Sequence, residues 1–159
     1  MKLRTSGVLA SSALSAASAL AQMPNPYGAP ISLNDAKKVA TSAMAEARKS
    51  HLTEAVAVVD FSGNLVYYEK MDNTQLGSAE VAIDKARSAA AFKRSTKMLQ
   101  DAVEKGGVEL RVFTLRGGVA IDGGIPLVIN GRIVGAIGVS GDTAANDGLC
   151  AKAGAEAMK

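Results

Sequence analysis

Two apolar runs joined by a two-residue turn constrain the fold of this chain more than any other feature. The runs cover residues 125–129 and 132–140, and Asn130 and Gly131 lie between them. Both turn residues tolerate the positive φ that tight hairpin turns require, so the pattern predicts an antiparallel β-hairpin.

Three glycines of this region, Gly135, Gly138 and Gly141, are spaced like those of a nucleotide-binding loop. Such a loop needs its glycines between a strand and a helix, inside a parallel βαβ unit. Gly135 and Gly138 instead fall within the second arm of the hairpin, and there is no Walker lysine. The sequence therefore argues against a phosphate loop and favours close packing of another element against these glycines.

The rest of the chain predicts a second hairpin and several helices. Residues 54–60 and 65–71 resemble strands and flank a Ser-Gly-Asn turn. Apolar residues at helical spacing, with capping and stop signals, predict helices over residues 32–48, 78–94 and 96–104 and from residue 143 onward. Residues 109–114 fit either a short strand or an irregular crossing. Two hairpins with helices around them indicate an α+β domain with an antiparallel sheet.

The N-terminal residues predict export. Lys2 and Arg4 precede a run of small and apolar residues, and Ala-Leu-Ala at 19–21 supplies a cleavage motif. This layout is typical of a secretory signal peptide over residues 1–21. We therefore expect a periplasmic or secreted protein with no membrane span in the mature chain.

The mature chain is expected to be a single domain with little net charge. Residues 22–30 hold three of the four prolines and predict a flexible lead-in to a domain at 31–159. Loss of Lys2 and Arg4 lowers the formal charge from +3 to +1. No Lys/Arg cluster with interleaved aromatic residues is present, which argues against a nucleic-acid partner.

One cysteine and one histidine limit the available chemistry. Cys150 has no internal disulfide partner, and its apolar surroundings favour a packed core thiol over an intermolecular bridge. The sequence contains no ligand spacing typical of zinc or iron–sulfur sites. A Ser-His-Asp triad or a Cys-His catalytic pair would have to use His51, since it is the one histidine of the sequence.

Several motifs, in order along the chain, resemble the GlcG/HbpS-like proteins, the haem-degrading domain family. Residues 124–141 (GIPLVINGRIVGAIGVSG) are similar to the signature segment of that family. Similar pieces occur at 57–65 (AVVDFSGNL), 70–72 (KMD) and 85–96 (KARSAAAFKRST). The departures from the usual residues of the family are Lys70, Ser88 and Ser95. The resemblance covers essentially all of residues 31–159.

The resemblance implies a fold and a class of ligand. The fold would be a profilin-like antiparallel sheet of about five strands flanked by helices, assembled as a homo-oligomer of up to an octamer. Relatives include exported haem binders and the C-terminal domain of PduO-type corrinoid adenosyltransferases. The implied function is binding of a small molecule, haem or a related tetrapyrrole, with a haem-degrading or accessory role. The alternative is an enzyme or accessory protein acting on a small oxo- or hydroxy-acid, as in the branch linked to glycolate utilisation.

The predicted helix at 78–94 carries most of the polar candidates for ligand binding. Glu80, Asp84 and Arg87 are four and three residues apart, so they lie within a narrow sector of the helix. They fit either a solvated salt-bridge face or a polar stripe that lines a ligand pocket or a subunit contact. Lys85 points about 100° away from Asp84 and is a candidate because of its place in the family motif.

Ser140 and Gly141 form a second candidate binding site, where a strand ends and a helix begins. Backbone amides at a helix N-terminus can hold a carboxylate or a haem propionate. The side chain of Asp142 can instead occupy the same donors as a cap. Both interpretations fit the sequence.

Haem also requires an axial ligand, for which the candidates are His51, Met71 and Tyr68. His51 closes the first predicted helix, where a histidine also interacts favourably with the helix C-terminus. Tyr67 and Tyr68 are adjacent on a predicted strand and face opposite sides, so one of them is expected in the core.

Overall fold

Two hairpins build one antiparallel sheet in the computed structural model, which describes residues 24–159. The first hairpin consists of β1 (Ala55–Asp60) and β2 (Leu65–Lys70). The second consists of β3 (Gly124–Ile129) and β4 (Arg132–Ser140). The strand order is β2-β1-β4-β3, and each neighbouring pair is antiparallel. The two hairpins therefore meet through β1 and β4 in the middle of the sheet.

Helices cover both faces of this sheet. The helices are α1 (Leu33–Lys49), α2 (Ser78–Phe92), α3 (Thr96–Lys105) and α4 (Ala144–Glu156), with a 3-10 segment at Gly107–Thr114. Val56 and Val58 of β1 share a core with α1 and α4, whereas Val59 packs against alanines of α2. None of the helices described is long and apolar enough to cross a membrane.

The α+β architecture predicted from the sequence is confirmed, with one difference in the sheet. Within residues 24–159 the sheet has four strands, not about five. The stretch that fitted either a strand or an irregular crossing, residues 109–114, belongs to the 3-10 segment. Gly106 and Gly107, both at positive φ, turn the chain out of α3. Local bonds then form, such as the one from the Leu115 amide to the Val112 carbonyl (3.1 Å).

The glycines of β4 serve close packing, as the sequence predicts. A Cβ at Gly138 would overlap the carbonyl oxygen of Ala82 in α2. Asn130 and Gly131 form the predicted turn with φ of 49° and 71°. Gly138 therefore lets α2 lie directly on the sheet, while Gly135 allows a close approach to the Val59 carbonyl.

The segment before α1 lies along β4 beyond the end of β1. The Gly28 amide donates to the Ile133 carbonyl (2.8 Å), and the Ile133 amide donates to the Pro26 carbonyl (2.9 Å). The Tyr27 hydroxyl donates to the Ala90 carbonyl of α2 (2.8 Å). These contacts involve part of the predicted lead-in at 22–30, while the predicted signal peptide at 1–21 lies outside the described residues.

Candidate ligand sites

A cleft opens between the end of α2, helix α3 and the 3-10 segment. Its volume is about 480 Å³, and small-ligand sites typically enclose about 300–1,000 Å³. Its apolar wall comes from these three elements and from the residue after the 3-10 segment: Phe92, Met98, Leu99, Ala102, Val112 and Leu115. A cleft of this size and lining can accept an apolar molecule.

Three cations and one anion border this wall. Arg94 follows α2, Lys105 ends α3, and Arg111 lies in the 3-10 segment. Glu109 pairs with Arg111 across 3.5 Å, from Oε1 to Nη2. The charge balance of the cleft is positive, which favours a ligand that carries carboxylates.

The sequence of α3 determines which of its side chains face the cleft. Met98, Ala102 and Lys105 are four and three residues apart and therefore share one face of the helix. Leu99 is buried, and Thr96 Oγ1 accepts a hydrogen bond from the Gly124 amide (2.8 Å), which ties α3 to β3. Met98 stays 56% exposed and lines the cleft.

A buried acid–lysine cluster, defined by Glu54, Lys85 and Asp147, lies away from the exposed acids of α2. Lys85 Nζ is 2.6 Å from Asp147 Oδ2 and 3.0 Å from the Val139 carbonyl oxygen. Both partners of this ion pair are almost fully buried. The cluster links α2 to α4 through the end of β4.

Asp147 also occupies the backbone donors that the sequence suggested for a ligand carboxylate. Its Oδ1 accepts hydrogen bonds from the amides of Gly141 and Asp142, both at 3.1 Å. Thr143 caps α4 by accepting from the Asn146 amide. The sequence allowed either a ligand carboxylate or a cap by Asp142 at these amides, and in the structure the carboxylate that accepts from them is that of Asp147.

Glu54 is the third member of the cluster and lacks a hydrogen-bonding partner. Its side chain is fully buried, and neither carboxyl oxygen accepts a hydrogen bond from the protein. Burial, reinforced by the charge of Asp147, raises the pKa of Glu54 to about 8. Glu54 therefore retains its proton at neutral pH, which avoids burying a second negative charge next to Asp147.

The polar stripe predicted on α2 lies apart from this cluster. Glu80, Asp84 and Arg87 are exposed. Arg87 Nη1 is 3.9 Å from Asp84 Oδ1, and Arg87 Nε donates to the Gly63 carbonyl (3.2 Å). The six predicted binding residues thus divide into an exposed stripe and a second group, in which Lys85 and Ser140 are buried and Gly141 is half-buried.

The three predicted axial ligands also lie in different places, and none lines the cleft. His51 is exposed and follows α1 with φ of 57°. Met71 packs against the core beside α1 and α4. Tyr68 is half-buried on the α2 face, where burial and the charge of Glu80 raise its phenol pKa.

Sequence reasoning missed Glu54, Asp147 and the cleft residue Met98. Glu54 could have been noticed only as an acidic residue directly before an apolar strand. Asp147 could have been noticed only as an acidic residue within a helix rich in alanine and glycine. Within residues 24–159, no group of three or more His, Cys, Asp or Glu side chains is arranged to hold a metal ion.

The fold and these sites define a class: a small α+β domain with a four-stranded antiparallel sheet and a cationic, apolar cleft. A family model described as "Haem degrading protein HbpS-like" matches residues 31–156. The chain belongs to this HbpS-like family, which confirms the resemblance found in the sequence.

Individual relatives agree with this assignment. A 15.0 kDa protein of Citrobacter freundii, from a dhaT-dhaS intergenic region, is 33% identical over 78% of this chain and 89% of its own length. Protein GlcG of Escherichia coli strain K12 is 34% identical over 66% of this chain and 77% of its own.

Solved structures of the family share the fold. The structure of a PduOC–haem complex superimposes with a TM-score of 0.74 and 27% identity, covering 82% of this chain and 96% of that one. A double mutant of HbpS from Streptomyces reticuli gives a TM-score of 0.75 and 28% identity, with 83% and 89% covered.

Proposed function

We propose that this protein binds haem or a related tetrapyrrole in the cleft between α2, α3 and the 3-10 segment. The observation that carries the proposal is the combination of an apolar wall with three cations at the edge of one cleft. A haem molecule has a flat apolar ring and two propionate groups, so it needs both features. The family likeness to a haem complex supports the same ligand.

The residues of the cleft fit such a ligand chemically. Phe92, Leu99, Val112 and Leu115 offer apolar and aromatic contact for a macrocycle. Arg94, Lys105 and Arg111 offer charge-assisted hydrogen bonds to carboxylates.

The proposed setting is an exported homo-oligomer. The signal-peptide pattern in residues 1–21 supports a periplasmic or secreted location. The exposed apolar side chains of Val108, Leu110 and Phe113 in the 3-10 segment support assembly. A role in haem degradation or as an accessory to another haem protein is part of the same proposal.

Haem titration of the purified protein tests the proposal. We expect a shifted and intensified Soret band that saturates with added haem. Ala102→Trp places a large side chain in the cleft and should weaken haem binding. The matched variant Ala145→Trp, at an exposed position of α4 outside the cleft, should bind haem as the wild type does. An absent Soret change, or equal binding by the two variants, would contradict the proposal.

A further inference from the structure

The proposed haem site leaves its iron ligand unassigned, and the cleft offers one. We infer that Met98 supplies a thioether ligand to the iron, with Arg94, Lys105 and Arg111 pairing with the propionates. The inference rests on the proposed function and goes beyond it, because it names the coordinating atom as Met98 Sδ.

Elimination among the possible ligands leads to Met98. Haem iron in proteins is held by His, Met, Cys or Tyr. Among residues 24–159, Met98 is the one side chain of these types that lines the cleft. The others lie in the core, on the sheet or at other helix ends: Tyr27, Met44, His51, Tyr67, Tyr68, Met71, Cys150 and Met158.

The exposure of Met98 also distinguishes it from the other methionines. Met44 is fully buried, and Met71 and Met158 pack against the main core, so their sulfur atoms serve packing. Met98 is 56% exposed, beside the buried Leu99. A methionine has three rotatable bonds and a polarisable sulfur, so an exposed one can reach a ligand without strain on the backbone.

The position of the cations relative to Met98 fits a bound haem. Lys105 lies seven residues after Met98 on the same face of α3, about two turns further along the helix. Arg94 precedes α3 and Arg111 lies in the 3-10 segment, so the cations come from three separate parts of the cleft edge. Iron ligation by Met98 would leave all three cations, Arg94, Lys105 and Arg111, available to the propionates.

Comparison of haem with metal-free protoporphyrin tests the coordinating role of the sulfur. Met98→Leu keeps the size and apolar character of the side chain and removes the sulfur. We expect haem affinity to fall at least roughly tenfold, since loss of an outer-shell partner alone typically costs that much in metal affinity. Affinity for metal-free protoporphyrin, followed by fluorescence, should stay unchanged because it has no iron to ligate.

Spectra of the ferric complex provide a second readout. The wild type and the control Met71→Leu should show the far-red charge-transfer band of thioether-ligated iron, and Met98→Leu should lack it. If the band persists in Met98→Leu, or disappears in His51→Ala, the assignment of Met98 is wrong while the proposed function stands. If Met98→Leu loses the same affinity for haem and for metal-free protoporphyrin, Met98 contributes packing and not iron ligation. If the wild type shows no Soret change at all, the proposed function itself fails.

Discussion

Lys85 carries its charge in a buried position, where the loss of hydration destabilises the folded protein unless the charge is paired. Its ammonium group contacts Asp147 and the Val139 carbonyl, deep under α4. A Cβ at Gly123 would lie 2.9 Å from Lys85 Nζ, so the absent side chain makes room for the cation. The cluster is stable because each charge has a partner, and removal of one partner leaves the other buried without compensation.

Lys85→Met should therefore destabilise the protein strongly. We expect a loss of about 3–5 kcal/mol in the free energy of unfolding, measured by chemical denaturation, because Asp147 would remain buried without its cation. Lys97→Met is the matched control, since Lys97 forms an exposed pair with Asp101 in α3. Exposed pairs contribute little, so its effect should be much smaller. Equal effects of the two variants would contradict a structural role for the buried pair.

Glu54 should make stability depend on pH in a recognisable direction. Its pKa is about 8 in the folded protein and about 4.5 when unperturbed. Between these values the unfolded chain has lost a proton that the folded protein retains, so stability falls as pH rises. The contribution approaches about 1.4 kcal/mol per pH unit within this window.

Glu54→Gln should remove that contribution. Unfolding free energies of the wild type and the variant, compared from pH 4.5 to 8, should diverge in favour of the variant as pH rises. Glu156→Gln, at the exposed end of α4, controls for the change in net charge. Parallel pH profiles for wild type and Glu54→Gln would show that Glu54 does not hold a proton in the folded state.

At the scale of elements, α2 is the helix whose position matters most. It crosses the sheet closely enough that a Cβ at Gly138 would overlap the Ala82 carbonyl and approach the Ala86 amide within 2.6 Å. The small side chains of Ala82, Ala86 and Ala89 on α2 keep the helix near the strands. The same close approach carries Lys85 to Asp147.

Gly138→Ala should disrupt this contact. The clash involves backbone atoms that cannot rotate away, so we expect a loss near the upper end of the roughly 1–3 kcal/mol typical of overpacking. Gly77→Ala is the control, because no atom lies within 4 Å of a Cβ there and its φ is −65°. Thermal and denaturant unfolding of the two variants provide the comparison. A neutral Gly138→Ala would mean that α2 is free to move off the sheet.

The elements differ in how far the sequence revealed them. Asn130 and Gly131 specified a turn, and the apolar runs on either side specified the flanking strands, because these signals act within a few residues. Residues 109–114 gave no clear pattern. Val112 is buried in that stretch, whereas Leu110 and Phe113 are exposed, so neither a strand nor an α-helix pattern emerges.

At the scale of the whole molecule, the apolar surface beside the cleft stands out. Val108, Leu110 and Phe113 of the 3-10 segment are 73%, 44% and 70% exposed, although none of the three lines the cleft itself. Contiguous exposed apolar groups typically mark ligand or subunit contacts. The homo-oligomer remains a prediction, and this surface is where we expect its subunits to meet.

We expect the purified protein to have a mass well above that of a monomer in size-exclusion chromatography with light scattering. Phe113→Glu should lower that mass, because it places a charge within the exposed apolar surface. Leu33→Glu, at the start of α1 on a different part of the molecule, should leave the mass unchanged. A monomeric wild type at working concentration would contradict the predicted assembly.

The sequence by itself determined the two hairpins, the helices around them and the family. These follow from turn chemistry, apolar periodicity and ordered motifs, all of which are local along the chain. Only the tertiary structure decided which polar groups meet. Lys85 and Asp147 are 62 positions apart, and Glu54 immediately precedes β1. The cleft likewise depends on how the 3-10 segment packs against α3. Such long-range contacts arise from the packing of whole elements, so spacing along the chain could not indicate them.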